Sequence, residues 1–292
     1  MSETLLELNK LTKTFGNKKA VRGLSLKLHA GEIYGFLGPN GAGKTTTIRM
    51  IMDFIRPTSG AVTLFGGKGA NQLAEKKQDI GYLSADASLY PEWNAIRHIK
   101  YVESLRDVKS NGLALAKRFD LKLNTKYKHL SSGNQQKLGI ILATMHSPKL
   151  LILDEPTRGL DPIWQEEFYG ILKNFQQQGG AVFMSSHNLS EVQKICDHVG
   201  IIKDGKLVAS ETMDSLRKIH THKIIVQFKE TVDIEAFRKI KHTEIIKSTP
   251  NSIIVNVTGD LNNLMLEITK HQLHDLEVTH ASVEETFLRH YR

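Results

Sequence analysis

The chain is 292 residues long, 40% hydrophobic and 24% charged, with 39 lysines and arginines against 31 acidic residues and a formal net charge of +8. That length and balance describe a globular chain of one large domain or two, with ample capacity for a buried core. Its single cysteine, Cys196, excludes an intrachain disulfide, fits a reducing compartment and reads as a packed core residue. The N-terminal "MSETLLELNK" carries no basic and apolar signal sequence, and no apolar run approaches bilayer-spanning length. A cytoplasmic chain that cannot cross a membrane by itself is therefore expected. From Ser215 onward eleven basic residues stand against ten acidic ones, which leaves most of the positive excess in the first part. A basic face there could meet nucleotide phosphates, nucleic acid or an anionic membrane surface, and no dense Lys/Arg block chooses among them.

In chain order, "LLELNKLTKTFG" and "LSLKLHAGEIYGFLG" read as strands, and "KTTTIRMIMDFI" as a helix with Ile48, Ile51, Met52 and Ile55 at helical spacing. The strand "IGYL" follows, then the helices "AIRHIKYVESLR" and "GNQQKLGIILATMH", the strand "LLILD" and the helix "PIWQEEFYGILKNFQQQG". "AVFMSS" and "VGIIKDGKLVAS" are later strands. Strands alternating with helices predict an α/β fold, a mostly parallel sheet flanked by helices, with antiparallel strands compatible at its start and end. Of the 22 glycines only Gly259 lies beyond Gly205, a composition break that puts a first domain at 1–212 and a second at 213–292. The second reads "KIIVQF", "DIEAFRKI", "EIIKS", "SIIVNV", "LNNLMLEITKH", "LEVTH" and a last helix "SVEETFLRHY". Its βαββαβ order predicts a small α+β sandwich of the ferredoxin-like kind.

The chemistry concentrates in "GFLGPNGAGKTTTIRM", Gly35 to Met50, where glycines separate a strand from a helix N-terminus. Gly38, Gly41 and Gly43 can reach positive φ and leave backbone N–H groups pointing at an anion, beside the orphan N–H groups and dipole of the helix start. Gly38 and Gly43 enclose four residues ahead of Lys44 and Thr45, the spacing of a P-loop. Lys44 would reach the β- and γ-phosphates of a nucleotide and Thr45 would offer its hydroxyl to Mg²⁺. The apolar strand "LLILDEP" then delivers Asp154 and Glu155 at its carboxyl end, where open α/β sheets bind ligands. Asp154 can hold the Mg²⁺, directly or through water, and Glu155 can orient an attacking water and accept its proton. In "LSSGNQQK", Leu130 to Lys137, serines and a glycine open a helix that could contact another phosphate, and in "MSSHNLSEV" His187 could hydrogen-bond a γ-phosphate. Taken alone, the serines are most simply a helix cap.

In this order the motifs resemble those of the ATP-binding cassette family of P-loop NTPases, over almost all of the first 210 residues. "GPNGAGKTT" looks like its Walker A loop, which marks Gly38, Pro39, Asn40, Gly41, Ala42, Gly43, Lys44, Thr45 and Thr46 as nucleotide-binding. "LLILDEP" looks like its Walker B strand, "LSSGNQQ" its signature, "RGLD" its D-loop and His187 its switch histidine. The resemblance implies that Phe15 stacks on adenine. The tail "ASVEETFLRHYR" is similar to the extension of ATP-binding subunits of ABC-2-type exporters.

The resemblance implies an ATPase, peripheral on the inner face of the cell membrane, with ATP and Mg²⁺ as cofactors. Two cassettes, of identical chains or of this chain with a related ATPase subunit, would close head to tail, ATP on Lys44 and Thr45 of one meeting Ser131 and Gly133 of the other. Hydrolysis supported by Glu155 would reopen the dimer and drive a separate integral membrane permease; nucleic acid is not an expected partner. Two alternatives are a soluble cassette switch acting on ribosomes or DNA, and a regulatory module that binds ATP but hardly hydrolyses it. Translation-type members usually carry two cassettes and repair-type members a long coiled coil; neither feature is present. The chain departs from the family pattern at Ser132, commonly glycine, at Asn134, commonly glutamine, and at Ala85, where the Q-loop glutamine falls, with Asp86 next to it as a candidate substitute. Tyr90 and Trp93 lie where the family receives the permease's coupling helix, and could equally be ordinary core.

Overall fold

The computed structural model describes residues 2–66, 76–86, 88–106, 110–218, 221–258 and 260–280; the helix expected over Ser282–Tyr291 lies outside them. The chain divides into two compact units, Met1–Glu211 and Thr212–Arg292.

In the first unit β1 (Thr4–Phe15), β2 (Lys18–His29) and β4 (Ser59–Leu64) form an antiparallel sheet in the order β2-β1-β4. Leu24, Leu26 and Leu28 of β2 alternate with exposed Ser25 and Lys27, the period-2 pattern of a strand with one buried face. The stretch expected as one strand from Leu24 to Gly38 is two. β2 ends at His29, and a turn held by Glu32, whose carboxylate accepts from His29 N at 2.9 Å, sends β3 (Ile33–Leu37) into a different sheet.

That second sheet has the order β5-β6-β7-β3-β8-β9, with β5 (Ile80–Leu83), β6 (Leu150–Asp154), β7 (Ala181–Ser186), β8 (His198–Lys203) and β9 (Lys206–Thr212). From β5 through β8 the neighbours pair in parallel. Every residue of β3, β6 and β7 is buried, as parallel strands covered on both faces must be. The helices of this unit include α1 (Lys44–Ile51), α2 (Ala95–Arg106), α3 (Gly112–Arg118), α4 (Ser132–Thr144), α5 (Pro162–Gln177) and α6 (Leu189–Ile195). The parallel arrangement sets the carboxyl ends of β6, β7 and β3 side by side on one edge, and this edge carries the site.

Helix α1 is a turn shorter than its apolar spacing predicts. Met52 caps it, Asp53 takes the left-handed conformation at φ 56°, and Phe54 N returns to Arg49 O at 2.8 Å. Ile48, Ile51 and Met52 are buried as expected, whereas Ile55 lies past the helix end and is half-buried. Strand β4, in which only Leu64 is fully buried, and helices α3 and α6 are not marked by the sequence pattern.

The second unit opens with α7 (Met213–Lys218) and continues as β10 (Thr221–Phe228), α8 (Ile234–Arg238), β11 (Thr243–Thr249), β12 (Ser252–Thr258), α9 (Asn262–Ile268) and β13 (Leu273–His280). Its strands pair antiparallel in the order β11-β12-β10-β13, the ferredoxin-like βαββαβ arrangement. Ile224, Val226, Ile253 and Val255 from the sheet pack with Phe237, Leu264 and Ile268 from the helices. Phe237 is fully buried, its ring 5.8 Å from that of Phe228. Truncating it leaves a cavity, so Phe237→Ala is expected to destabilise this unit by about 3–5 kcal/mol, read as an earlier unfolding step in urea denaturation of the full-length protein.

Candidate active site

The loop between β3 and α1 is shaped by close backbone approach. Gly41 and Gly43 take φ of 81° and 114°. Gly38, expected to share that conformation, is glycine for another reason: a Cβ there would lie 2.5 Å from the Ile202 carbonyl oxygen of β8. Its own N–H donates to Ser186 O at 3.2 Å, so the loop starts wedged between β7 and β8. Gly43 caps α1, and the first bond of the helix runs from Thr47 N to Gly43 O. The N–H groups of Lys44, Thr45 and Thr46 precede that bond at the helix N-terminus, the arrangement that holds phosphate.

Lys44 is 6% exposed and its ammonium donates to Gly38 O at 2.6 Å. It also lies 3.2 Å from Glu155 Oε1. The second oxygen, Glu155 Oε2, is 2.7 Å from His187 Nδ1. Glu155 itself sits in the left-handed region at φ 49°, which costs a non-glycine residue about 1–2 kcal/mol. Strain of this kind concentrates at functional positions. Asp154 is fully buried, its Oδ1 accepting from Ser185 Oγ at 2.5 Å while Oδ2 has no hydrogen-bond partner. Behind His187, Ser186 Oγ is 2.6 Å from Glu191 Oε2 and accepts from Asn188 N at 2.9 Å. Burial pushes the Glu191 carboxyl above its usual range, with the Ser186 hydroxyl opposing.

Lys44 and Glu155 face a cavity of about 400 Å³, whose lining does not include Asp154 or His187. It is lined by Phe15, Pro39, Asn40, Gly41, Gly43, Lys44, Thr45, Thr46 and Glu155 from the expected set, joined by Lys18, Ala20, Ala85, Asp86 and Arg158. Phe15 closes β1 with half its surface exposed, and the Lys13 ammonium lies 5.0 Å from the ring centre. Ala42 is buried beneath the loop, where its carbonyl accepts from Gly205 N at 3.0 Å. Asp86 pairs with Arg158 at 3.4 Å. Arg158 opens the "RGLD" stretch matched to the D-loop, whereas Ser185, a serine at a strand end, carries no local signal of what it faces.

Ser131 and Gly133 are not part of this cavity. They line a second cleft of about 290 Å³ with Asn134, Lys137, Leu160, Asp161 and Trp164. Ser131 caps α4, accepting from Asn134 N at 3.4 Å. A Cβ on Gly133 would meet Gly159 O at 2.8 Å, so this glycine permits the start of α4 to lie against the Arg158–Asp161 turn. Lys137 is 6% exposed, donates to Phe119 O at 3.0 Å and lies 3.4 Å over the Trp164 ring; burial pushes its ammonium below the usual range. At the start of α2, Tyr90 stacks on Trp93 at 4.2 Å and keeps 52% of its surface exposed, and the Arg97 guanidinium lies 4.3 Å from the Trp93 ring centre.

A glycine loop leading into a helix, with an acidic pair at the end of β6 and a histidine just after β7, defines a P-loop ATPase of the cassette type. Comparison with known proteins agrees. The sequence pattern of the family described as ABC transporter matches residues 21–158. The Bacitracin transport ATP-binding protein BcrA of Bacillus licheniformis is 39% identical over 220 residues, 74% of this chain and 72% of that one. The Linearmycin resistance ATP-binding protein LnrL of Bacillus subtilis (strain 168) is 30% identical over 303 residues, 97% of each chain. A solved structure of the ATP binding subunit of an ABC transporter superposes with a TM-score of 0.69 at 27% identity, covering 73% of this chain and 92% of that one. The chain belongs to the ABC transporter family and is an ATP-binding, ATP-hydrolysing cassette subunit.

The Gly38 contact yields a test. Gly38→Ala forces β8 and the loop apart and is expected to destabilise the protein by about 1–3 kcal/mol and to weaken nucleotide binding. Urea unfolding and titration with a fluorescent ATP analogue check both; wild-type behaviour would mean that β8 yields to the added methyl.

Proposed function

We propose that this chain is the ATPase subunit of an ABC-2-type membrane exporter, acting from the inner face of the cell membrane on a separate integral membrane permease. The observation that carries the catalytic half is Glu155, a strained, poorly exposed carboxylate held between Lys44 and His187 in the loop cavity. The exporter half is supported by the names of relatives that work in bacitracin transport and linearmycin resistance.

In this reading the amides of Gly41 to Thr46 and the Lys44 ammonium hold the ATP phosphates, with Phe15 against adenine. A phosphate that takes up Lys44 releases Glu155 Oε1 from its ion pair, which leaves the carboxylate to accept a proton from the attacking water while His187 Nδ1 keeps Oε2 in place. The unpartnered Oδ2 of Asp154 and the hydroxyl of Thr45 are hard oxygen donors that suit Mg²⁺, which supplies charge neutralisation on the phosphates when bound. Ser131 and Gly133 occupy a cleft of their own, so they serve the nucleotide of a facing cassette, from a second copy or a related subunit. Tyr90, half exposed and stacked on the partly buried Trp93, then receives the permease.

Two variants test the assignment. Glu155→Gln keeps ATP affinity and lowers turnover by roughly 10²–10⁴-fold, the range of a lost general base; full turnover would remove Glu155 from this role. Lys44→Ala loses a charge-assisted contact of about 1.5–3 kcal/mol, seen as a rise in the ATP dissociation constant of roughly one to two orders of magnitude by the same relation. Tagged Glu155→Gln protein taken from detergent-solubilised native membranes with ATP and Mg²⁺ is expected to carry a multi-helix membrane protein in fixed ratio. Recovery of ribosomes or nucleic acid instead would overturn the exporter reading.

A further inference from the structure

Ser185 is the side chain of β7 that touches both acids. It is fully buried and lies opposite Asp154 in the register of β7 with β6. Its hydroxyl donates to Asp154 Oδ1 at 2.5 Å and accepts from Glu155 N at 3.0 Å; its carbonyl accepts from the same N–H at 3.3 Å. A hydroxyl has one proton and two lone pairs, so both bonds form without conflict.

Two consequences follow from this geometry. The bond to Oδ1 makes the two oxygens of Asp154 inequivalent, leaving Oδ2 buried and unpartnered. The bond from Glu155 N anchors that residue's backbone in the left-handed conformation, which sets the direction of the carboxylate between Lys44 and His187. An alanine in this place would pack equally well against the neighbouring strands. It would leave both Asp154 oxygens without a donor and the carboxylate free to rotate, and the Glu155 amide with only the Ser185 carbonyl.

We propose that Ser185 is a positioning residue for ATP hydrolysis, aiming Asp154 Oδ2 at the divalent cation and the Glu155 carboxylate at the attacking water. The inference rests on the roles proposed for Asp154 and Glu155. The test compares full-length wild type, Ser185→Ala, Ser185→Thr and Asp154→Asn in three measurements: Mn²⁺ binding with ATP present by electron paramagnetic resonance, ATP affinity without metal, and steady-state hydrolysis. Ser185→Ala is expected to weaken Mn²⁺ binding by about tenfold and to lower kcat by roughly 10–100-fold, as loss of a ligand's hydrogen-bond partner does. Metal-free ATP affinity stays near wild type, KM for the metal–ATP complex rises with the weaker metal binding, and Ser185→Thr, which restores the hydroxyl, recovers these losses.

Wild-type Mn²⁺ binding and kcat in Ser185→Ala, with Asp154→Asn impaired, overturns the role of Ser185 alone. Unchanged Mn²⁺ binding in Asp154→Asn as well overturns the metal assignment beneath it. If Ser185→Ala loses ATP binding altogether, Ser185→Cys, similar in size with a weak donor, takes its place: weakened Mn²⁺ binding there supports the proposal and wild-type binding overturns it.

Discussion

The Lys44 ammonium, buried between the Gly38 carbonyl and the Glu155 carboxylate, joins the glycine loop to the end of a strand far along the chain. A buried ion pair is favourable only when its geometry is held and its remaining hydrogen-bonding capacity is met. Here the sheet order provides both. β7 lies between β3, which carries the loop, and β6, which carries the acids, so its last residues reach each neighbour. Ser186 O takes the Gly38 N–H, Ser185 takes Asp154 and the Glu155 amide, and His187 takes the second oxygen of Glu155. Loop, acids and histidine are one hydrogen-bonded assembly centred on the end of a single strand.

The signature helix belongs to a different part of the same unit. Gly133 is small because Gly159 lies against it, and Lys137 is held by Phe119 O and the Trp164 ring. Gln136 adds a bond to Pro156 O at 2.7 Å, just beyond the acidic pair. The start of α4 is thereby in direct contact with the turn that follows Glu155. One chain holds two separate clefts, one at Lys44 and one at Ser131 and Gly133, which is the arrangement that the proposed head-to-tail pairing of cassettes requires.

The C-terminal unit has a self-contained apolar core between its sheet and helices, and among the described residues no cluster of metal-ligating side chains appears in either unit. Among the described residues no helix is long and apolar enough to cross a membrane. In the proposed function the transport path belongs to the permease, while this chain contributes the nucleotide chemistry.

Much of this was legible in the residue order. The glycine spacing ahead of Lys44 and Thr45, the acids closing an apolar strand, and the alternation of strands with helices are local patterns, set by φ preferences and by side-chain periodicity within a few residues. They determined the α/β class, the phosphate loop, the place of Asp154 and Glu155 and the change in character near residue 210. Tertiary structure alone decided that Gly38 is required by the approach of Ile202, that α1 stops at Ile51, that Ser185 faces both acids, and that Ser131 and Gly133 lie apart from Lys44. Each of these depends on which strand lies beside which and in what register, and that choice comes from burial summed over the whole sheet, a quantity no short stretch of sequence contains.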